Sequence, residues 1–320
     1  MTVALDEDLF TRTVEPLRGE LTAHCYRMMG SVHEAEDLVQ ETYLRAWKAF
    51  EKFEQRSSVR TWMYRIATNT CLTALEGRCR RPMPVGLGQP ASDPHASLRL
   101  DYEVTWLEPL PDAVVWGGPE VDPAAAVVDR ESVRLAFVAA LQHLTPAQRA
   151  VLILRDVLAW QASEVAELLE MSVAAVNSSL QRARATVHRL DPETEDAELD
   201  EARAKELLAD YVAAFEHYDI SRIVELLAED AVATGDGGGK AAARKTPLRG
   251  GAKVARFMLG LMRLAGRESY VFDFCEINGR PGALIRQHGR VVGTLCLEVA
   301  DGRVTELLSV ANPDKLRHLH

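Results

Sequence analysis

Apolar residues recur every three or four positions through most of the first 190 residues, then every second position toward the end of the chain. The first spacing predicts helices and the second predicts half-buried strands. A helix through Phe10–Met29 ends near Gly30, and Ser31 with Glu34 forms a capping-box signature before the next. There Ala35, Leu38, Val39, Thr42, Tyr43, Ala46, Trp47 and Phe50 make one apolar face, with Trp47 assigned to the core. A helix over 58–79 places Val59, Trp62, Met63, Ile66, Ala67, Thr70, Cys71 and Ala74 in the same register and ends in the Arg78–Arg81 cluster. Three such helices make a small bundle.

A second helical unit follows a proline-rich interval. Thr145-Pro146 supplies a cap and an N1 proline ahead of QRAVLILRDVL. A short helix (Ser163–Leu169), a turn at Glu170-Met171-Ser172 and a longer basic helix from Val173 then predict a helix-turn-helix. Its packing face is Val165, Ala166, Leu169, Val173, Val176, Leu180 and Val187. Glu170 occupies the place where glycine is favoured, so either it takes an unfavourable backbone or the turn is built differently.

The third unit starts with helices over Ala202–His217 and Ile220–Ala228 and an amphipathic stretch over Lys253–Leu264. Four alternating runs follow, separated by Asn278-Gly279, His288-Gly289 and Asp301-Gly302, which are tight-hairpin signals. Helices before an antiparallel meander predict an α+β fold. The domain plan is therefore 1–81 and 129–190 all-α, 82–128 a linker, 191–201 an acidic connector, and 202–320 α+β.

Charge changes this picture. The chain of 320 residues carries a formal charge of −10, which taken whole argues against nucleic acid. Taken by segment, residues 55–81 carry +5 and 171–190 carry +3, whereas 1–54 carry −5, 82–128 carry −6 and 191–320 carry −5. Two basic islands lie in an acidic chain, and such islands suffice for phosphate contacts. Eight of the 14 prolines fall in 82–128, hence its reading as a linker. Five cysteines without paired spacing predict neither a disulfide framework nor a zinc site and fit a reducing, cytoplasmic setting. The acidic start MTVALDEDLF lacks the form of a signal peptide, and no apolar run is long enough for a membrane helix.

DLVQETYLRAW (37–47), SSVRTWMYRIATNT (57–70), QRAVLILRDVL (148–158) and SVAAVNSSLQRAR (172–184) resemble the extracytoplasmic-function (ECF) sigma factors of bacterial RNA polymerase, in that family's order and spacing. The last third resembles the SnoaL-like, NTF2-type extension of some members. Its signatures here are Asp236-Gly237-Gly238-Gly239-Lys240, Asn312-Pro313-Asp314-Lys315-Leu316 and, in the linker, Trp106-Leu107-Glu108-Pro109-Leu110. The linker element departs from the family's W-L-P-E-P-L by one proline. The resemblance implies two all-α sigma domains followed by a cone-shaped α+β domain.

It also implies roles. Asp37, Gln40 and Glu41 would dock on the β′ clamp helices of core polymerase, with the β flap a further contact. Arg60, Thr61, Trp62, Arg65 and Asn69 would read and melt the −10 element, a task suited to cations beside flat or polar pockets. Asn177, Ser178, Gln181 and Arg182 share one helix face and suit base edges, while Ser172 and Arg184 suit phosphates; the resemblance makes this the −35 reader. In the last domain Asp236, Asp273 and His288 are the residues available for proton transfer, but no spacing makes them a dyad. Neither a catalytic residue, a cofactor nor a metal site is assigned, and the domain is read as regulatory, with room for a small ligand. An acidic linker that mimics nucleic acid is a further expectation. Competing readings are a helix-turn-helix regulator with a ligand-binding C-terminal domain, which leaves residues 1–80 unexplained, and a SnoaL-like enzyme with DNA-binding appendages. Whether an anti-sigma partner exists is not legible in the residues.

Overall fold

Proline, glycine and short polar caps set the helix boundaries. The computed structural model describes residues 2–50, 53, 57–76, 107–116, 133–190, 201–237, 247–265 and 270–319. The Arg78–Arg81 cluster, Trp106, Gly238–Lys240 and the acidic connector lie outside them. The chain divides into two compact units, residues 1–81 with 112–192 and residues 82–111 with 193–320.

In the first unit Pro16 interrupts the first helical run at a 3₁₀ turn, Glu15–Leu17, between α1 (Thr2–Val14) and α2 (Arg18–Met29). Gly30 ends α2 with φ of 71°, its N–H bonded to the Tyr26 carbonyl at 2.7 Å. This left-handed position is where glycine is least strained. Ser31 Oγ accepts from the Glu34 N–H at 3.2 Å ahead of α3 (Val32–Phe50), and Ser58 caps α4 (Val59–Leu75) by accepting from the Thr61 N–H. Leu21, Tyr26, Met28, Val39, Met63 and Tyr64 are buried among these helices. Trp47 departs from its core assignment: it is 37% exposed and meets Phe10 edge-on.

His24 is buried in this bundle with Nε2 3.0 Å from Thr68 Oγ1. The Thr68 hydroxyl gives its one proton to the Tyr64 carbonyl at 2.8 Å, so His24 Nε2 must be the donor. Burial, reinforced by Arg27, pulls the imidazole pKa down to about 3.

The same unit holds α5 (Asp112–Trp116), α6 (Leu135–Gln142), α7 (Pro146–Leu152) running into one π turn at Ile153–Val157, α8 (Ala162–Leu168) and α9 (Val173–Leu190). Thr145 and Gln148 form a full capping box at α7. Between α8 and α9, Glu170 adopts φ of 52°, so of the two alternatives at this glycine-like position the strained left-handed backbone is the one taken. Val173 does not join the packing face: it is 45% exposed, one residue into α9, while Val176 and Leu180 are buried. Arg149 is buried and donates to the Met28 carbonyl and to Gln142 Oε1, fastening α7 to the end of α2.

α5 falls within the stretch read as a linker, yet Val115 is buried and α5 lies against α2. A Cβ on Gly19 would sit 2.2 Å from the Val115 carbonyl, so only glycine permits this approach.

The second unit runs α10 (Glu201–Glu216), α11 (Ile220–Leu226), β1 (Leu227–Asp236), β2 (Leu248–Arg249), α12 (Gly251–Ala265), then β3 (Val271–Ile277), β4 (Arg280–Gln287), β5 (Arg290–Ala300) and β6 (Arg303–Val310). The strand order is β2-β1-β6-β5-β4-β3. All three predicted hairpin turns have positive φ at both central residues, as type I′ turns require. The expected meander is β3–β6. The strand β1 was not predicted: the helix assigned to 220–228 stops at Leu226, and β1 pairs parallel with β6. Its short apolar run, Ala231-Val232-Ala233 between acidic and small polar residues, shows no alternation and hides a strand flanked on both sides.

Along one face of this sheet, side-chain size changes with position. Leu227, Leu297, Val304 and Leu307 pack with Leu208, Tyr211 and Val254 from the helices. Farther along the same face the register puts Gly235 beside Ser309 and Ser309 beside Leu295, with Gly293 two residues before Leu295. Large residues close one end of the sandwich and small ones leave the other open.

Two outcomes follow for the first unit. Gly19→Ala pushes α5 off α2 and lowers stability by about 1–3 kcal/mol, read as an earlier denaturant midpoint. For His24 the unfolded state takes up a proton below pH 6.5 that the native state does not take up until about pH 3. Stability is therefore full above pH 6.5 and declines as pH falls from 6.5 toward 3, with a limiting slope of about 1.4 kcal/mol per unit. A His24→Gln variant flattens the decline between pH 6.5 and 5 in urea titrations.

Candidate nucleic-acid interface and regulatory knot

On α3, Asp37 and Gln40 are exposed, while Glu41 is half-buried and accepts from Arg45 Nε at 2.7 Å. They form one acidic stripe, with exposed Leu44 on the same helix. On α4, Asn69 is exposed and Trp62 stacks on Phe53 at 4.6 Å, a flat aromatic pair at the head of the helix. Thr61 is not a free hydroxyl donor face, because its Oγ1 lies 2.9 Å from Ser58 Oγ.

The arginines of α4 are engaged by carboxylates that the sequence reading did not anticipate. Arg60 binds Glu20 of α2 at 2.6 Å and lies over the Tyr64 ring; Arg65 binds Glu167 of α8 at 3.0 Å. That second pair ties the face assigned to the −10 element to the helix-turn-helix itself. Such exposed pairs are weak, about 0–1 kcal/mol, and phosphates can displace them. Glu20 and Glu167 lie far from their partners in sequence, and no local spacing signals either pair.

On α9, Asn177, Ser178, Gln181 and Arg182 are all exposed and contiguous, and Arg182 makes no ion pair among the described residues. Ser172 accepts from the Ala175 N–H at 3.1 Å, so its hydroxyl caps α9. Arg184, expected to meet phosphate, is instead held by both oxygens of Asp156 at 2.8 and 2.6 Å.

In the second unit three motifs distant in sequence converge. Lys315 is buried, with Nζ 2.8 Å from Asp236 Oδ2 and 3.3 Å from the Leu107 carbonyl, to which it donates. Asn312 caps its own short turn by accepting from the Asp314 N–H, and the Ala311 N–H bonds the Asp236 carbonyl. Residues 107–111 lie along this unit as a strap. Leu110 exchanges backbone and side-chain hydrogen bonds with Asn278, His318 Nε2 lies 2.9 Å from the Pro109 carbonyl, and Pro111 bridges to Ile277. Leu107, Glu108 and Leu110 are buried, so this part of the proline-rich stretch is packed and not a solvated hinge. Leu316 is buried in a small cluster with Val291, Val310 and Leu319. Asn278 and His318 were missed as strap contacts, although Asn278 carried a turn signal. Gly237 is buried beside Asp236; Asp314 instead binds Arg317.

Asp273 pairs with Arg286 across β3 and β4, and His288 sits exposed in a hairpin turn. With Asp236 held by Lys315, the three residues singled out for proton transfer do not converge. Among the described residues no group of His, Cys, Asp and Glu is arranged to hold a metal, and no helix is long and apolar enough to cross a membrane.

The family model described as Sigma-70 region 2 matches residues 13–81, and that described as Sigma-70, region 4 matches residues 134–187. SigJ of Mycobacterium tuberculosis, an ECF RNA polymerase sigma factor, is 33% identical over 94% of this chain and 91% of its own length. The chain belongs to the ECF RNA polymerase sigma factors. SigG of the same organism is 59% identical over 70% of this chain, and the chain spans about 60% of the length of that relative. The crystal structure of SigJ superposes with a TM-score of 0.63 at 30% identity, covering 94% of this chain and 96% of that one. The architecture is thus two helical sigma domains followed by a mixed domain of helices against a sheet. The strap lies between the two matched regions, in the segment that joins them.

The buried ion pair gives a direct test of the knot. Lys315→Met leaves the Asp236 carboxylate buried without its cation, and removing one partner of such a pair costs about 3–5 kcal/mol. The expected result is a lower unfolding midpoint for the C-terminal transition together with faster proteolysis near residues 107–111, both partly restored by the double substitution of Lys315→Met with Asp236→Leu.

Proposed function

We propose that the chain is a dissociable initiation subunit that binds core RNA polymerase and directs it to selected promoters, with its C-terminal domain modulating that activity. The observation that carries this reading is the exposed α9 face, where Asn177, Ser178, Gln181 and unpaired Arg182 stand together on a helix-turn-helix second helix. Amide and guanidinium groups in that array match the donors and acceptors of base edges in a major groove. The exposed acidic stripe at Asp37 and Gln40 supports docking on a basic partner surface, which we assign to the β′ clamp helices. Arg60, Arg65, Asn69 and the Trp62–Phe53 stack are assigned to single-stranded DNA at the −10 element, and the region-4 helices also to the β flap.

Distance supports a change of state on promoters. Elements centred about 25 base pairs apart are separated by roughly 85 Å of duplex, whereas about 160 compact residues have a radius of gyration near 15 Å. The unit in which Arg65 meets Glu167 cannot span both elements. Opening it parts Arg65 from Glu167, and phosphates then displace Glu20 from Arg60 and Asp156 from Arg184, so those arginines are in reserve.

The C-terminal domain acts through the strap. Residues 107–111 belong to the segment that joins the two DNA-binding regions, and Asn278, Lys315 and His318 hold it. A domain that holds or releases this segment biases the separation of those regions, a two-state coupling without chemistry.

Reconstituted transcription tests this reading against a conventional helix-turn-helix regulator. With core polymerase and genomic templates, the wild-type chain is expected to give specific initiation, and Arg182→Ala to reduce promoter occupancy about tenfold, the worth of one good base contact, while co-purification with core polymerase stays intact. Unchanged footprints with Arg182→Ala would remove the −35 assignment, and no specific initiation at all would remove the sigma-factor reading.

A further inference from the structure

Between the sheet and α10 and α12 lies a cavity of about 430 Å³, within the range that encloses a small organic molecule. It is present because the concave sheet face ends in Gly235, Gly293, Ser309 and Ala311, where the other end carries leucine and valine. The helices face it with Tyr211, Val212 and Phe215 from α10 and with Phe257, Met258 and Leu261 from α12. The lining is therefore apolar and partly aromatic.

One polar group stands out in that lining. Tyr211 is 1% exposed, and its hydroxyl has no hydrogen-bond partner among the described residues. A buried hydroxyl left without a partner is destabilising, so the position favours whatever supplies an acceptor. Burial drives the phenol pKa up, which keeps it a proton donor. The one carboxylate in the lining, Asp236, is neutralised by Lys315. By register its side chain follows Thr234 and Val310 onto the opposite sheet face. Among the described residues the lining offers a charged ligand no counter-ion, so its entry carries a large desolvation cost.

We propose that this cavity is a receptor site for an uncharged, mostly apolar molecule bearing one hydrogen-bond-accepting oxygen, which the Tyr211 hydroxyl engages. The inference rests on the regulatory reading of the C-terminal domain and gives it an input. The strand that walls the cavity ends at Asp236, whose carboxylate holds Lys315, and Lys315 holds the strap at Leu107. Filling the cavity thus loads the strand that anchors the knot.

The test uses the full chain and prodan, a neutral naphthyl ketone whose emission moves to the red when its carbonyl accepts a hydrogen bond. Saturable binding is expected, with displacement by acetylnaphthalene. Ethylnaphthalene, which lacks the oxygen, should compete about three- to tenfold less well, and naphthoate, which is charged, at least tenfold less well. Tyr211→Phe removes only the hydroxyl: prodan emission should shift to the blue, and the gap between the acetyl and ethyl compounds should close. Ala233→Leu, which adds bulk on the same sheet face, should abolish saturation while the variant keeps its circular dichroism and melting temperature. If that variant fails to fold, the competitor series on wild type and Tyr211→Phe still decides. Absence of saturable binding to wild type, equal displacement by naphthoate, or an unchanged emission and competitor gap in Tyr211→Phe overturns the proposal. Transcription by the same wild-type preparation is measured in parallel, so a chain that initiates normally but fails these arms loses the receptor site and keeps the sigma-factor reading.

Discussion

A buried ammonium must be surrounded by oxygen, and much of the C-terminal unit is arranged around that requirement at Lys315. Taking the charge out of water costs several kcal/mol unless geometry and hydrogen bonds compensate. Here the compensation comes from Asp236 at the end of β1 and from the carbonyl of Leu107, more than 200 residues away in sequence. One cation therefore fixes where β1 ends, how the last short turns pack, and where the strap lies. Neutral residues of similar volume could fill the space, but they would not discriminate a strap that presents its carbonyl from one that does not.

The first unit solves a different electrostatic problem. The surface we assign to phosphate is rich in arginine, and unpaired arginines repel one another in the free chain. Glu20, Glu167 and Asp156 relieve this with exposed pairs weak enough to be exchanged. Arg149 is the contrast: buried and bonded to a main-chain carbonyl and a glutamine, it belongs to the architecture. Arg155 is likewise part-buried and donates to the Trp160 carbonyl, whereas Arg182 and Arg184 face outward, so burial separates the two kinds.

Periodicity, caps and turns carried most of the fold. The three hairpins were legible because Asn278, His288 and Asp301 each precede glycine, and the helix-turn-helix because its apolar spacing breaks only around Glu170. The α9 face was legible too, since a helix puts Asn177, Gln181 and Arg182 together whatever surrounds it. What escaped notice depends on long-range partners. β1 is a poor strand in isolation and exists because β6 and β2 flank it. Val173 and Trp47 fit an apolar stripe yet sit where their neighbours cover them only in part. The proline-rich stretch looked solvated from composition, but Leu107, Leu110 and Val115 found apolar surfaces whose positions no local pattern encodes. The carboxylates guarding Arg60, Arg65 and Arg184 were invisible for the same reason.

The gradient of side-chain size along the sheet has an evolutionary consequence. Leu227, Leu297 and Val304 pack against the helices at one end, whereas Ala233, Gly235, Gly293 and Ser309 on the same strands leave room for the open volume beside Leu295 and Leu307. Substitutions among the small residues can reshape that space while the packed end continues to hold the fold. Relatives with the same architecture could in this way diverge in what they sense without rebuilding how they stand.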